Sequence, residues 1–153
     1  MANTYTQIHL QIVIAVKYRQ SLIQPDWEGE LHKCITSIVQ SFGHKVIAIN
    51  NMPDHLHLFI GFRPNQSLAD LMRIVKNEST TWINDRQFTN AVFKWQEGYG
   101  AFSYSRSHVK AVVDYILNQQ EHHRKRTFLE EYQQFLDQFE VDYDSKQLFK
   151  LPE

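Results

Sequence analysis

Apolar and polar residues alternate loosely over residues 5–16, and the β-branched content there (Ile8, Ile12, Val13, Ile14) predicts a strand. The period then becomes helical. Leu31, Ile35, Ile38, Val39 and Phe42 recur every three to four residues, with Pro25 suited to the first turn and Gly43 to the position after the last. Gly29 weakens this helix, and Cys34 lies beside its apolar stripe as a packed, inert thiol. Residues 45–50 predict a second strand and 51–54 a turn. The run Met52-Pro-Asp-His-Leu-His-Leu-Phe-Ile-Gly61 then supplies a third strand, paired with the second as a hairpin. Ser67 and Asp70 form a start resembling a capping box, for a helix with Leu68, Leu71, Met72, Val75 and Trp82 on one stripe. Residues 91–95 and 101–104 predict short strands around a Gly98-Tyr-Gly100 turn. Ser105 or Ser107 opens a helix to about His122. Thr127 and Glu130 form a second capping box, opening a last helix with Phe128, Leu129, Tyr132, Phe135, Leu136 and Phe139 apolar.

The order β-α-β-β-α-β predicts an α+β fold: a ferredoxin-like or RRM-like antiparallel sheet with helices packed on one face, plus a C-terminal helix and tail. Residues 1–140 read as one domain and 141–153 as a tail without clear periodicity. The 153 residues suffice to bury a core unaided. A single cysteine excludes a disulfide framework and fits a reducing compartment. With neither a signal-peptide pattern nor a membrane-length apolar run, the expected location is cytoplasmic. The net charge of -1 provides no overall basic field, so any phosphate binding must come from local patches.

The third strand carries the candidate chemistry. His55 and His57 point the same way with Cα atoms about 6.5–7 Å apart, while Leu56, Leu58 and Ile60 face a core on the other side. Two imidazoles aimed at one point suit a metal ion; the alternative is two half-exposed histidines with hydrogen-bonded rings. Asp54 either orients His55 from behind or serves the turn. On the helix reaching His122, Val109, Val112, Val113 and Ile116 form a core stripe. His108, Tyr115, Asn118, Gln119 and His122 lie off it. Tyr115 and Gln119 are neighbours one turn apart, and Gln119 offers a neutral oxygen as a third ligand.

A His-hydrophobic-His strand followed by Tyr-x-x-x-Gln on a later helix resembles the HUH endonuclease superfamily. Within it, the chain is similar to the single-tyrosine transposases of the smallest bacterial insertion sequences and to REP-associated tyrosine transposases. The resemblance runs from His9 to Lys17-Tyr-Arg19, then Met52 to His57, Trp95-Gln-Glu-Gly-Tyr-Gly100 and Tyr115-Ile-Leu-Asn-Gln119. It continues through Glu121-His-His-Arg-Lys and Phe128-Leu-Glu-Glu-Tyr132. It implies a metal-dependent single-stranded DNA endonuclease and transposase that cleaves and rejoins DNA at hairpin-marked ends through a 5′-phosphotyrosine. By the same resemblance His55, His57 and Gln119 hold Mg²⁺ or Mn²⁺, and Tyr115 is the nucleophile. A phenol of pKa about 10 is only about 0.1 % ionised at pH 7, a barrier of about 4 kcal/mol that its surroundings must offset. His122 is the helper suggested by proximity. The resemblance further implies a homodimer with composite active sites, Tyr115 of one copy completing the histidine pair of the other. Gly98 and Gly100 would then lend flexibility ahead of the tyrosine helix.

Lys17, Arg19, Arg63, Arg73, Lys76, Arg124, Lys125 and Arg126 are candidates for contacts to DNA phosphates. For the last three, the alternative is charge favoured at a helix C-terminus. Tyr99 could stack on an unpaired base, Trp82 reads as core, and Trp95 is open. Two other functions compete. A non-catalytic single-stranded nucleic-acid-binding module would bind in a salt-dependent way without cleavage, and a metal hydrolase using water would not need Tyr115.

Overall fold

The computed structural model describes residues 3–122 and 126–142. Its centre is a four-stranded antiparallel sheet of β1 (His9–Ala15), β2 (Lys45–Met52), β3 (His55–Gly61) and β4 (Gly100–Tyr104), in the order β2-β3-β1-β4. This is the antiparallel α+β architecture that the apolar pattern predicts, except that helices cover both faces of the sheet and not one, because β1 and β3 carry apolar residues on both sides. Among the described residues no helix is long and apolar enough to cross a membrane.

Alternation along the strands assigns each side chain to a face. Ile12, Ile14, Val16, Leu56, Leu58 and Ile60 meet Trp27, Leu31, Ile35 and Val39 of α1 (Pro25–Ser41) and Leu71, Met72, Val75 and Ile83 of α2 (Leu68–Arg86). The helix ends follow their sequence signals. Pro25 occupies the first turn of α1, Gly43 follows it at φ +89°, and Ser67 Oγ accepts from the Asp70 N–H at 3.0 Å. Burial raises the Cys34 thiol pKa, in keeping with a packed residue. Trp95 is core: its indole N–H donates to Ser79 Oγ at 2.9 Å. Trp82 is half-buried against Phe88.

The opposite face, carrying Val13, Ala15, Ala48, Phe59 and Phe102, is closed by α3 (Val109–Leu117) and the C-terminal α5 (Phe128–Gln138). The capping box of α5 is present in full, Thr127 with Glu130.

Four segments differ from their sequence patterns. The first strand begins at His9, not residue 5, although the Ile8 carbonyl still accepts from Phe62 N–H. Asn51 and Met52 belong to β2, leaving Pro53 and Asp54 as a two-residue hairpin loop. The Asn51 carboxamide is bound by His32 at 2.6 Å and donates to Glu28 at 3.1 Å, which satisfies a polar side chain inside the strand. Residues 91–95 form no strand beyond an isolated Val16–Trp95 bridge, because the Asn84 side chain takes both backbone groups of Phe93. The helix expected to run unbroken to His122 stops at Leu117. Asn118 leaves helical geometry (φ -102°, ψ 27°), and a separate turn, α4 (Gln119–His122), follows.

Gly100 opens β4 under Tyr132 of α5, where a Cβ would lie 2.5 Å from the phenol oxygen and 2.8 Å from Cε1. Gly100→Ala should therefore destabilise the protein by about 1–3 kcal/mol, as overpacking does, read as a lower thermal midpoint. Tyr132→Ala added to it should recover part of the loss; an unchanged midpoint for the single variant would show that Tyr132 moves aside freely.

Candidate metal centre

His55 and His57 point to the face closed by α3 and α5, and both are fully buried rather than half-exposed. Each ring is oriented from behind. The His55 Nδ1–H donates to Asp54 Oδ1 at 2.7 Å, a reach made possible by the tight Pro53–Asp54 loop. The His57 Nδ1–H donates to Gln11 Oε1 at 2.7 Å, and Gln11 Nε2 donates in turn to the Tyr104 hydroxyl at 3.1 Å. The His55 ring also stacks on Phe128, centroids 3.8 Å apart. With both Nδ1 atoms occupied, both Nε2 atoms turn inward.

Gln119 and Glu131 meet them there. The Gln119 Oε1 lies 3.3 Å from His55 Nε2, and Glu131 Oε1 lies 3.0 Å from His57 Nε2 and 3.6 Å from His55 Nε2. Gln119 Nε2 donates to Glu131 Oε2 at 3.3 Å, and the Tyr115 hydroxyl donates to the same oxygen. Arg126 Nη2 donates to Tyr115 Oη at 2.5 Å and stands 3.9 Å from Glu131. So Tyr115 and Gln119 reach one centre although the helix between them is broken. The break is held by β2: Asn50 Nδ2 donates to the Ile116 carbonyl at 2.8 Å and faces that of Leu117 at 3.4 Å, taking up end groups that α3 leaves unpaired.

The donor set fits a metal. Ligand atoms of His55, His57 and Glu131 all lie within 4.8 Å of one another. Bonds of about 2.0–2.2 Å place ligand atoms at most about 4.4 Å apart, so small side-chain adjustments suffice. Two imidazoles, a carboxylate and the Gln119 oxygen make a buried, mixed nitrogen and oxygen site.

Electrostatics set the resting state. Burial works to lower the His55 pKa, but hydrogen bonds and charge from Asp54 and Glu131 outweigh it, and the net shift from 6.5 is upward. The Tyr115 phenol is pushed well above its ordinary value by burial and then by Glu131, with Arg126 partly offsetting both.

Among the basic candidates in the described residues, only Arg126 reaches this centre. Lys17 and Arg19 lie just past the end of β1 where Ala15 pairs with His55, in a turn that holds Tyr18 and Arg19 at positive φ. Arg63 follows the far end of β3, six residues and about 20 Å along the strand from His57. Arg73 is paired with Asp70 at 2.7 Å on the helix behind the sheet. Lys76, its pKa lowered by burial, donates to the Gln96 and Gly98 carbonyls, which holds the segment before β4. Arg124, Lys125 and the His122 side chain lie outside the described residues.

Sequence reasoning missed Glu131 and Gln11. Glu131 falls between Phe128 and Phe135 on the buried stripe of α5, where a carboxylate interrupts an apolar period. Gln11 alternates with Val13 on the histidine face of β1.

A family model described as Transposase IS200 like matches residues 4–119. The ISDra2 transposase TnpA of Deinococcus radiodurans is 29% identical over 73 residues, which is 48% of this chain and 52% of that protein. The chain thus matches about half the length of this curated relative. In fold it is similar to a candidate transposase of Deinococcus radiodurans R1, with TM-score 0.62 and 20% identity over 78% of this chain and 95% of that one. It is also similar to a REP-associated tyrosine transposase bound to a REP hairpin, with TM-score 0.61 and 14% identity over 100% of this chain and 93% of that one. The family match ends at Gln119, so Glu131 lies beyond it.

The upward shift of His55 fixes a sign for pH. A group whose folded pKa is raised stabilises the fold fully below its unfolded value, near 6.5, and that contribution fades as pH rises through the higher folded value. In metal-free protein held in chelator, His55→Asn should therefore cost more stability at pH 6 than at pH 8.5 in denaturant titrations. An equal cost at both values would show that His55 stays neutral.

Proposed function

The chain belongs to the IS200-like transposase family, and we propose that it cuts and rejoins single-stranded DNA at hairpin-marked ends through a bond between Tyr115 and a 5′-phosphate. One observation carries this reading: Tyr115, Gln119 and the two buried histidines converge on one centre from elements far apart in the chain. The REP hairpin bound by the structural relative supports hairpin DNA as the substrate class.

In the proposed step the Tyr115 Oη attacks phosphorus, an ester bond to tyrosine forms, and the bond to the 3′ oxygen breaks, leaving a 3′-hydroxyl once that oxygen takes a proton. Glu131, which already accepts the Tyr115 hydrogen bond, receives the phenol proton. Arg126 stabilises the developing negative charge on Oη. When bound by His55, His57, Gln119 and Glu131, a divalent ion, Mg²⁺ or Mn²⁺, supplies Lewis acidity toward the phosphate and a charge that offsets Glu131. The two imidazoles make Mn²⁺ the better match, since Mg²⁺ prefers oxygen. Asp54 and Gln11 hold the rings so that Nε2 faces the centre. Because the phosphoester is exchanged and not hydrolysed, the reverse attack by a 3′-hydroxyl rejoins the strand without ATP.

The tyrosine and the histidines meet within one chain here. A homodimer that exchanges its tyrosine helices would build the same contacts between copies. Lys17 and Arg19, at the histidine end of the sheet, and Arg126 are the proposed phosphate contacts.

Incubation with Mn²⁺ and single-stranded hairpin DNA should trap a covalent adduct that Tyr115→Phe abolishes. Cleavage that survives this substitution would indicate a water nucleophile, and binding without cleavage a non-catalytic module. Asp54→Ala and Gln11→Ala should each weaken Mn²⁺ binding by about 10–100-fold in calorimetry; unchanged affinity would mean that ring orientation does not depend on these partners.

A further inference from the structure

Beside Tyr115, between β4, α3 and α5, lies a cleft of about 260 Å³. It is smaller than the roughly 300 Å³ at which drug-sized ligand sites begin, and it has room for one planar ring. Its wall combines the Phe135, Tyr104 and Tyr115 side chains, with Gln134 and Gln138 one helical turn apart on α5 at its rim. Tyr115, Arg126 and Glu131 line this cleft, and Glu131 also faces the two histidines, so the cleft adjoins the proposed metal centre.

The chemistry of the lining is that of base recognition. Aromatic walls stack on any base. Two carboxamides offer the donors and acceptors with which glutamine side chains read base edges. The Tyr104 hydroxyl accepts from Gln11 and keeps its own proton to donate to a carbonyl. Burial raises the Tyr104 pKa, which keeps this donor protonated at neutral pH.

The geometry points to a base-binding subsite: this cleft takes the unpaired base of the nucleotide on the 3′ side of the cut. The inference rests on the phosphotyrosine reading, because that nucleotide is the one attached to Tyr115 after cleavage. Holding its base in the cleft keeps the 5′ end in place until the second 3′-hydroxyl arrives. It also makes the enzyme selective at one position outside any hairpin.

Two measurements test this. In the first, a hairpin oligonucleotide randomised next to the cut is incubated with Mn²⁺ and protein, and the DNA captured on Tyr115 is sequenced. A base preference at the 3′-side position is expected, flattened in the Gln134→Ala/Gln138→Ala variant, and an abasic site there should lower adduct yield about tenfold or more. In the second, side-chain amide signals of Gln134 and Gln138 are followed by NMR as the same oligonucleotide is added to Tyr115→Phe protein. They should shift with the intact strand and stay in place with the abasic one. Equal shifts with both strands, or a preference that the double variant leaves intact, would overturn the inference. Adduct loss in the wild type with the amide shifts retained would count against the phosphotyrosine step while supporting base binding.

Discussion

A carboxylate buried against two buried imidazoles is the constraint on which this structure turns. Glu131 is 1% exposed and faces His55 and His57, which are wholly enclosed. Taking such groups out of water costs several kcal/mol for each charge unless partners compensate. Every neighbour answers that cost. Asp54 and Gln11 orient the rings, and Gln119, Tyr115 and Arg126 bond to or surround the carboxylate. The arrangement is costly as packing and sensible as a cation-binding centre, where one ion or its protons satisfy inward-facing donors together.

That same centre ties the helical layer to the sheet. Gln119 faces His55 from the turn that follows α3, which stops at Leu117 where Asn50 of β2 captures its last carbonyls. The tyrosine helix is therefore anchored at its end by the strand that pairs with the histidine strand. Phe128 and Glu131, three residues apart on α5, complete the enclosure by stacking on His55 and facing His57.

Much of this was legible in the sequence, for local reasons. Alternation in β3 separated His55 and His57 from Leu56, Leu58 and Ile60, and capping signals marked Ser67 and Thr127 as helix starts. Pro25 and Gly43 bounded α1. The parts that were hidden depend on partners distant in sequence. Asn118 itself suits a helix end, but the strand asparagine that takes up the freed carbonyls lies 68 positions away. Residues 91–95 have strand composition, yet the Asn84 side chain supplies the hydrogen bonds that a neighbouring strand would otherwise give. Glu131 stood in plain view beside Glu130 of the capping box. Only its place on the apolar stripe set it apart.

The Pro53–Asp54 loop has a consequence for how such a chain can diverge. Only two residues separate Met52 from His55, and the one irregularity in the β2–β3 pairing lies at its far end, between Val46 and Ala48. The histidines and the core leucines share one strand on alternate positions, so a length change that slips β3 by one residue would exchange them wholesale, imidazoles into the apolar core and leucines into the polar centre. Single substitutions on either face can accumulate separately. Length change cannot. Lineages descended from such a fold should exchange one apolar residue for another at the core positions of β3 while keeping His55, His57 and the count between β2 and His57 fixed.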